Sequence, residues 1–178
     1  MPVLLNRKEI VTLGIDPGSN LTGWGVVRES SGKLELLGCG ALRVKGSAFS
    51  EKLCAIYHGL HEIIGEYHPD EAGVEQVFAS RNVMSAIKLA QARGAAVAAC
   101  ASSGIPVLDY EPTLVKQTIV GTGRAEKEQV AFMVSRLLGG AEIKGPLDVT
   151  DAVAIAVCHL TLRRFRRLEE LRKADKDD

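Results

Sequence analysis

Four carboxylates in this sequence stand in surroundings that should repel them. Asp16 closes the apolar run VTLGID, and the chain breaks straight after it at Pro17-Gly18. Glu75 lies between Val74 and Gln76-Val77 in an otherwise apolar stretch. Asp148 and Asp151 are three residues apart in GPLDVTDAVAIAVCH, where a helical pattern starts, so they share one helix face. A charge in apolar surroundings is costly to desolvate unless a hydrogen-bond network or a cation compensates it. Three of the four have a structural alternative. Asp148 suits a helix N-cap, Asp151 suits the positive end of a helix dipole, and Asp16 before Pro-Gly suits a turn. Glu75 has no such local purpose. Four carboxylates brought together would repel one another without cations. Hard oxygen ligands of this kind select Mg²⁺ or Mn²⁺ rather than zinc. Two such ions, ~4 Å apart, can activate water and stabilise the leaving oxygen of a phosphodiester. The chemistry these residues point to is metal-assisted phosphodiester hydrolysis.

The elements that must position them follow from periodicity. Residues 10–16, 23–30 and 33–43 read as three strands joined by short connections, an antiparallel meander with a Ser31-Gly32 turn. Residues 48–68 carry Leu53, Ile56, Tyr57, Leu60, Ile63 and Ile64 at helical spacing, and Pro69-Asp70 ends that helix. A short strand is expected over 72–78 and a long helix of small residues over 82–103. A fifth strand follows at IPVLDY, with helices over 112–120 and 126–138. A last helix starts near Asp148 and runs past His159. A meander followed by helix-linked strands indicates an α/β fold with a five-stranded mixed sheet flanked by helices. Ligand sites in such sheets lie at strand ends. The first turn of the last helix is therefore expected to press against the sheet where Asp16 and Glu75 emerge.

The totals narrow the class. A chain of 178 residues with 46% hydrophobic and 25% charged residues suits one domain with a proper core, taken here as 1–165 with a fraying tail over 166–178. The formal net charge is zero, so any basic surface is local. Cys39, Cys54, Cys100 and Cys158 lack zinc-type spacing and read as reduced thiols. No apolar run approaches the roughly 18 residues of a membrane span, and the expected location is the cytoplasm. His58, His61 and His68 have no partner ligands in the pattern. His159 lies ~12 Å along its helix from Asp151, too far to join the same cation directly.

The stretches GIDPGSNLTGWGVV, PDEAGVEQVFASRNVMSAIKLAQARGAAV, VKQTIVGTGRAEKEQV and DVTDAVAIAVCH, in that order, closely resemble the RuvC family of Holliday-junction resolvases. These are crossover junction endodeoxyribonucleases of the ribonuclease H-like fold, and the resemblance spans Ile10 to His159. It implies that Asp16, Glu75, Asp148 and Asp151 are the catalytic metal ligands, with two Mg²⁺ per site and Mn²⁺ as a substitute. It implies a homodimer on four-way junction DNA, symmetric nicks with 5′-phosphate and 3′-hydroxyl ends, and the branch-migration proteins RuvA and RuvB as partners. Phe78 matches an aromatic used against an unstacked base, and a core Phe is its alternative. Lys116 and Lys127 match lysines near the scissile phosphate. Arg81, Lys88, Arg93 and Arg124 are further candidate phosphate contacts, against the alternative of solvated surface charge. The helix 82–103, with Ala86, Ala90, Gly94 and Val97, matches the dimer helix, and burial under neighbouring helices is its alternative. Gly18, Gly23 and Gly25 are read as letting the backbone approach DNA.

Three rivals were set against this reading. An actin-like phosphotransferase shares the strand, Asp-x-Gly turn and returning strand, but needs a second such domain. A non-enzymatic junction-binding protein would not need all four acids. A resolvase-like nuclease acting on RNA is disfavoured by the EQVF and GTGRAEKEQV segments.

Overall fold

The computed structural model describes residues 9–44, 48–76 and 82–174. Phe78 and Arg81 lie outside the described residues. Strands β1 (Glu9–Asp16), β2 (Leu21–Ser30) and β3 (Lys33–Arg43) form the antiparallel meander. Helix α1 (Phe49–Tyr67) leads to β4 (Glu71–Glu75), which pairs parallel with β1. Helix α2 (Val83–Ser102) leads to β5 (Val107–Tyr110), which pairs parallel with β4. Helices α3 (Pro112–Val120), α4 (Lys127–Leu137) and α5 (Leu147–Ala174) follow. The sheet order is β3-β2-β1-β4-β5, the five-stranded mixed sheet expected from the sequence. Strand β4 is shorter than expected and shifted: it starts at Glu71 and its last residue is Glu75. Helix α5 crosses residue 165 without a break and continues to Ala174.

Each face of the sheet buries its own core. Leu13, Ile15, Val26, Ala72 and Val74 pack under α1 and α2, against Ile56, Leu60, Ala92 and Ala96. On the other face, Ile10, Val27 and Tyr110 join Val115, Ile119, Val130 and Val134 from α3 and α4, together with α5. The alternation of strand side chains assigns the faces. Residues 11, 13 and 15 of β1 turn towards α1, and residues 12, 14 and 16 towards α5.

Helix α5 is buried on every side from Ala152 to Leu160, because it lies between the sheet and the α3–α4 pair. Its close approach to the sheet is made possible by glycines. A Cβ on Gly14 would collide with the Ala152 carbonyl oxygen, and one on Gly23 with the Asp148 carbonyl oxygen. A Cβ on Gly25 would strike Val153. This corrects the expectation for Gly23 and Gly25: their missing side chains admit a helix, not DNA. Gly18 sits in the β1–β2 turn, where a Cβ would meet the Leu21 carbonyl oxygen.

Candidate active site

Asp16 and Glu75 end adjacent parallel strands. The register Ile15↔Val74 sets them side by side, and both project towards α5. Their carboxyl groups share a side-chain hydrogen bond. Helix α5 begins at Leu147, so Asp148 is inside the first turn and not at the cap position. The dipole at that end favours its negative charge. Asp151, one turn on, lines a cleft of about 260 Å³ with Asp16, Glu75, Lys116 and Lys127, over Val115 and Ala154.

The electrostatics follow from crowding. Burial pushes the Asp16 carboxyl up to about 8, and the negative charges of Glu75, Asp151 and Asp148 add to the shift. Glu75 is also raised, first by burial and then by Asp151 and Asp148. Its hydrogen bond with Asp16 and the Lys127 charge oppose that shift without cancelling it. The Asp16 carboxyl is therefore held largely in its protonated form at neutral pH.

Two lysines face this negative charge. Lys127 is the first residue of α4, whose start is held by the Glu126 backbone N–H donating to Gln129 Oε1 at 2.9 Å. From there Lys127 Nζ donates to Asp151 Oδ2 at 2.8 Å. That hydrogen bond and the charges of Asp151, Asp16 and Asp148 raise the Lys127 ammonium above its ordinary value, against a smaller opposing effect of burial. Lys116 reaches the same cleft from α3, one turn beyond Pro112 at the start of that helix.

The donor set fits a hard divalent cation: oxygen ligands only, crowded, with one member protonated for want of positive charge. Among the described residues, however, no three His, Cys, Asp or Glu side chains are already gathered as a cation cage. The reason is visible in the contacts. Lys127 engages Asp151, and the Asp16–Glu75 hydrogen bond turns those two carboxyls towards each other. A cation between Asp16 and Glu75 would displace the Asp16 proton, and Lys127 occupies only one of the two Asp151 oxygens.

Other candidates separate. Lys88 and Arg124 are exposed and do not line the cleft. Arg93, a candidate phosphate contact, also makes contacts within the protein. Its Nε donates to the Glu75 carbonyl oxygen at 3.3 Å, and its guanidinium pairs with Asp109, so it braces the end of β4. On α2, Ala92, Ala96, Ala99 and Cys100 are buried, while Ala90 and Gly94 are exposed and Ala86 and Val97 half-buried. A larger groove, about 740 Å³, lies at the opposite end of the sheet beside the β2–β3 turn. Among the described residues it is lined by Leu34, Leu137 and Phe165, with Glu29 as the one carboxylate.

Sequence reasoning missed one cluster entirely. Glu71, Tyr110, His159 and Arg163 form a buried polar group on the α5 face of the sheet. The signal that existed was the spacing of Glu71 and Glu75: four apart on a strand, they point the same way.

The family model for the crossover junction endodeoxyribonuclease RuvC matches residues 12–159. A crossover junction endodeoxyribonuclease RuvC of Oleidesulfovibrio alaskensis is 63% identical over 164 residues, which cover 92% of this chain and 98% of that protein. Among solved structures, T. thermophilus RuvC in complex with a Holliday junction substrate is 34% identical. It superposes with a TM-score of 0.82 over 89% of this chain and 97% of its own. The yeast mitochondrial Holliday junction resolvase, at 12% identity and a TM-score of 0.66, covers 93% of this chain and 83% of its own, and shares the fold.

Proposed function

The chain belongs to the RuvC family of crossover junction endodeoxyribonucleases, and from that premise we propose that Asp16, Glu75, Asp148 and Asp151 carry its catalysis by holding divalent cations at the strand ends. The fold is ribonuclease H-like and the enzyme is a metal-dependent nuclease that resolves Holliday junctions in DNA recombination and repair. The proposed cation is Mg²⁺, two per site, with Mn²⁺ able to replace it. The single observation that supports this reading best is the convergence of Asp16, Glu75 and Asp151 on one cleft, where burial first and the neighbouring acids second push the Asp16 carboxyl up to about 8.

Divalent cations bound between these carboxylates would supply an activated water and charge stabilisation for the leaving oxygen of the phosphodiester. The chain's own residues do the rest. Asp16 gives up its proton to solvent, which leaves both strand-end carboxylates free to act as ligands. Asp151 is released from Lys127, whose ammonium then turns to the incoming phosphate. Lys116 offers a second positive charge on the same side, so the scissile phosphate is held between two lysines and the acids. Val115 and Ala154 form a dry floor that strengthens these charge interactions. The cut leaves 5′-phosphate and 3′-hydroxyl ends.

Phe78, Arg81, Lys88 and Arg124 are proposed as outer DNA contacts, on the strength of the motif match. Homodimerisation is proposed through α2, whose outward face carries Ala90 and Gly94. RuvA and RuvB are proposed as protein partners, and family membership is the support for them. Residues 1–165 are proposed as the nuclease domain.

The test uses a labelled four-way junction and a linear duplex, with Mg²⁺, Mn²⁺ or chelator. Paired nicks on the junction alone, dependent on metal and lost in Asp16→Asn while junction binding is kept, are expected. Cutting by Asp16→Asn at the parental rate would overturn the four-acid assignment.

A further inference from the structure

The four acids belong to two bodies. Asp16 and Glu75 are on the sheet, while Asp148 and Asp151 are on α5. Their spacing therefore depends on where α5 sits along its own axis. The floor beneath α5 is close-packed. Gly14 meets Ala152 and Ala156, Gly23 meets the Asp148 carbonyl and Gly25 meets Val153, so backbone and small side chains set how deep the helix sits. A slip of one residue would move Asp151 by about 1.5 Å along the axis and about 100° around it.

A polar anchor stands two turns further along. His159 is fully buried. Its Nε2 is 2.6 Å from Glu71 Oε2, and its Nδ1 is 3.0 Å from the Tyr110 hydroxyl. Arg163 Nε lies 3.5 Å from the other Glu71 oxygen. An ionised carboxylate only accepts hydrogen bonds, so His159 Nε2 carries a proton and donates it to Glu71. These contacts are directional and buried, unlike the glycine floor.

The two ends of this arrangement are commensurate. Glu71 and Glu75 lie on the same face of β4, four residues apart, which is ~13 Å of strand. Asp151 and His159 lie eight residues apart on α5, which is ~12 Å of helix. Glu75 and Asp151 meet at one end, and Glu71 and His159 at the other. Tyr110 is in register with Glu75 on β5, so the third member of the anchor also starts beside the site.

We propose that the Glu71–His159 pair, braced by Tyr110 and Arg163, is a positioning device that sets the axial register of α5 and with it the cation-site spacing of Asp148 and Asp151 against Asp16 and Glu75. This rests on the four-acid reading above. Glu71, His159 and Tyr110 act through the acids and touch neither DNA nor cation.

The experiment compares the parent with Glu71→Gln and Tyr110→Phe, each as the full chain. It measures Mn²⁺ binding by the paramagnetic signal of free Mn²⁺, junction affinity in chelator, cleavage rate at saturating junction, and Tm. Removing a group that orients ligands from behind typically costs tenfold to a hundredfold in metal affinity or activity. The expected result is roughly a tenfold or greater loss of Mn²⁺ affinity in Glu71→Gln, with junction affinity unchanged. Tyr110→Phe should show a smaller loss in the same direction, and it carries the test if Glu71→Gln does not fold. Leu60→Ala, in the core on the opposite sheet face, supplies a control that lowers Tm without touching the anchor. It should leave Mn²⁺ affinity as in the parent. If the anchor variants lower Tm yet bind Mn²⁺ and cut as the parent does, the pair is structural only and the proposal is overturned. Asp16→Asn run alongside separates the two readings. Normal cutting by that variant sinks the four-acid assignment, whereas an inactive Asp16→Asn with a fully competent Glu71→Gln sinks the positioning role alone.

Discussion

Asp16 is held in a state that costs stability. Its carboxyl is half-buried, lies in the field of three other acids, and stays protonated up to about pH 8. In chelator, Asp16→Asn should therefore be at least as stable as the parent, since an amide removes the repulsion and can keep a hydrogen bond to Glu75. Thermal melts in chelator check this, and a clear drop in Tm would mean that the carboxyl is structural. Lys127 tests the opposite charge. Its ammonium pairs with Asp151 in the free protein and is assigned to phosphate in the complex. Lys127→Met should weaken junction binding and lower the slope of log affinity against log salt by about one. A slope equal to the parent's would confine Lys127 to its pairing with Asp151.

At the scale of elements, two features of α5 make opposite demands. The glycine floor brings the helix close, and the buried anchor holds it in place. Gly23→Ala puts a methyl group against the Asp148 carbonyl oxygen, so the first turn of α5 must move. Overpacking of this kind costs about 1–3 kcal/mol, readable in urea unfolding, and cleavage should fall further than stability because Asp148 moves with the turn. The anchor adds a pH dependence. Burial pushes the Glu71 carboxyl up, but the His159 hydrogen bond and charge and the Arg163 charge outweigh burial, and its net direction is down from 4.5. A lowered acid contributes stability that is present above its unfolded value and lost as pH falls through the folded value. The parent should thus lose Tm more steeply below about pH 4.5 than Glu71→Gln does. Parallel Tm profiles from pH 6 to pH 3 would contradict this.

At the scale of the whole molecule, α2 carries the exposed apolar face proposed for self-association. Val83, Met84 and Ile87 on α2 are 68%, 61% and 44% exposed, and they continue into the exposed Ala90 and Gly94. A Cβ on Gly94 would meet nothing within 4 Å, so the surface there is open to a close neighbour. Ile87→Glu should convert a dimer to a monomer in sedimentation and should uncouple the two nicks of a junction, while the intact sheet keeps its Tm. A parental sedimentation profile would move the interface elsewhere. Among the described residues no helix is long and apolar enough to cross a membrane.

Much of this was legible in the sequence because it is local. Period-two and period-3.6 patterns carried the order of elements, and a Glu inside an apolar strand announced itself as misplaced. The motifs around Asp16, Glu75, Asp148 and Asp151 carried the family. Tertiary structure decided what depends on a partner far along the chain. Gly23 and Gly25 read as openings towards DNA until α5 was found lying on them. That Arg93 is paired with Asp109 and the Glu75 carbonyl could not be read from its neighbours in sequence. His159 was set aside for its distance from Asp151, and that same distance, matched by the separation of Glu71 from Glu75 on β4, is what makes it an anchor. Periodicity reports which way a side chain points, but not what it meets there. The depth of a helix on a sheet and its position along its axis are set by contacts between residues 88 apart in sequence, such as Glu71 and His159.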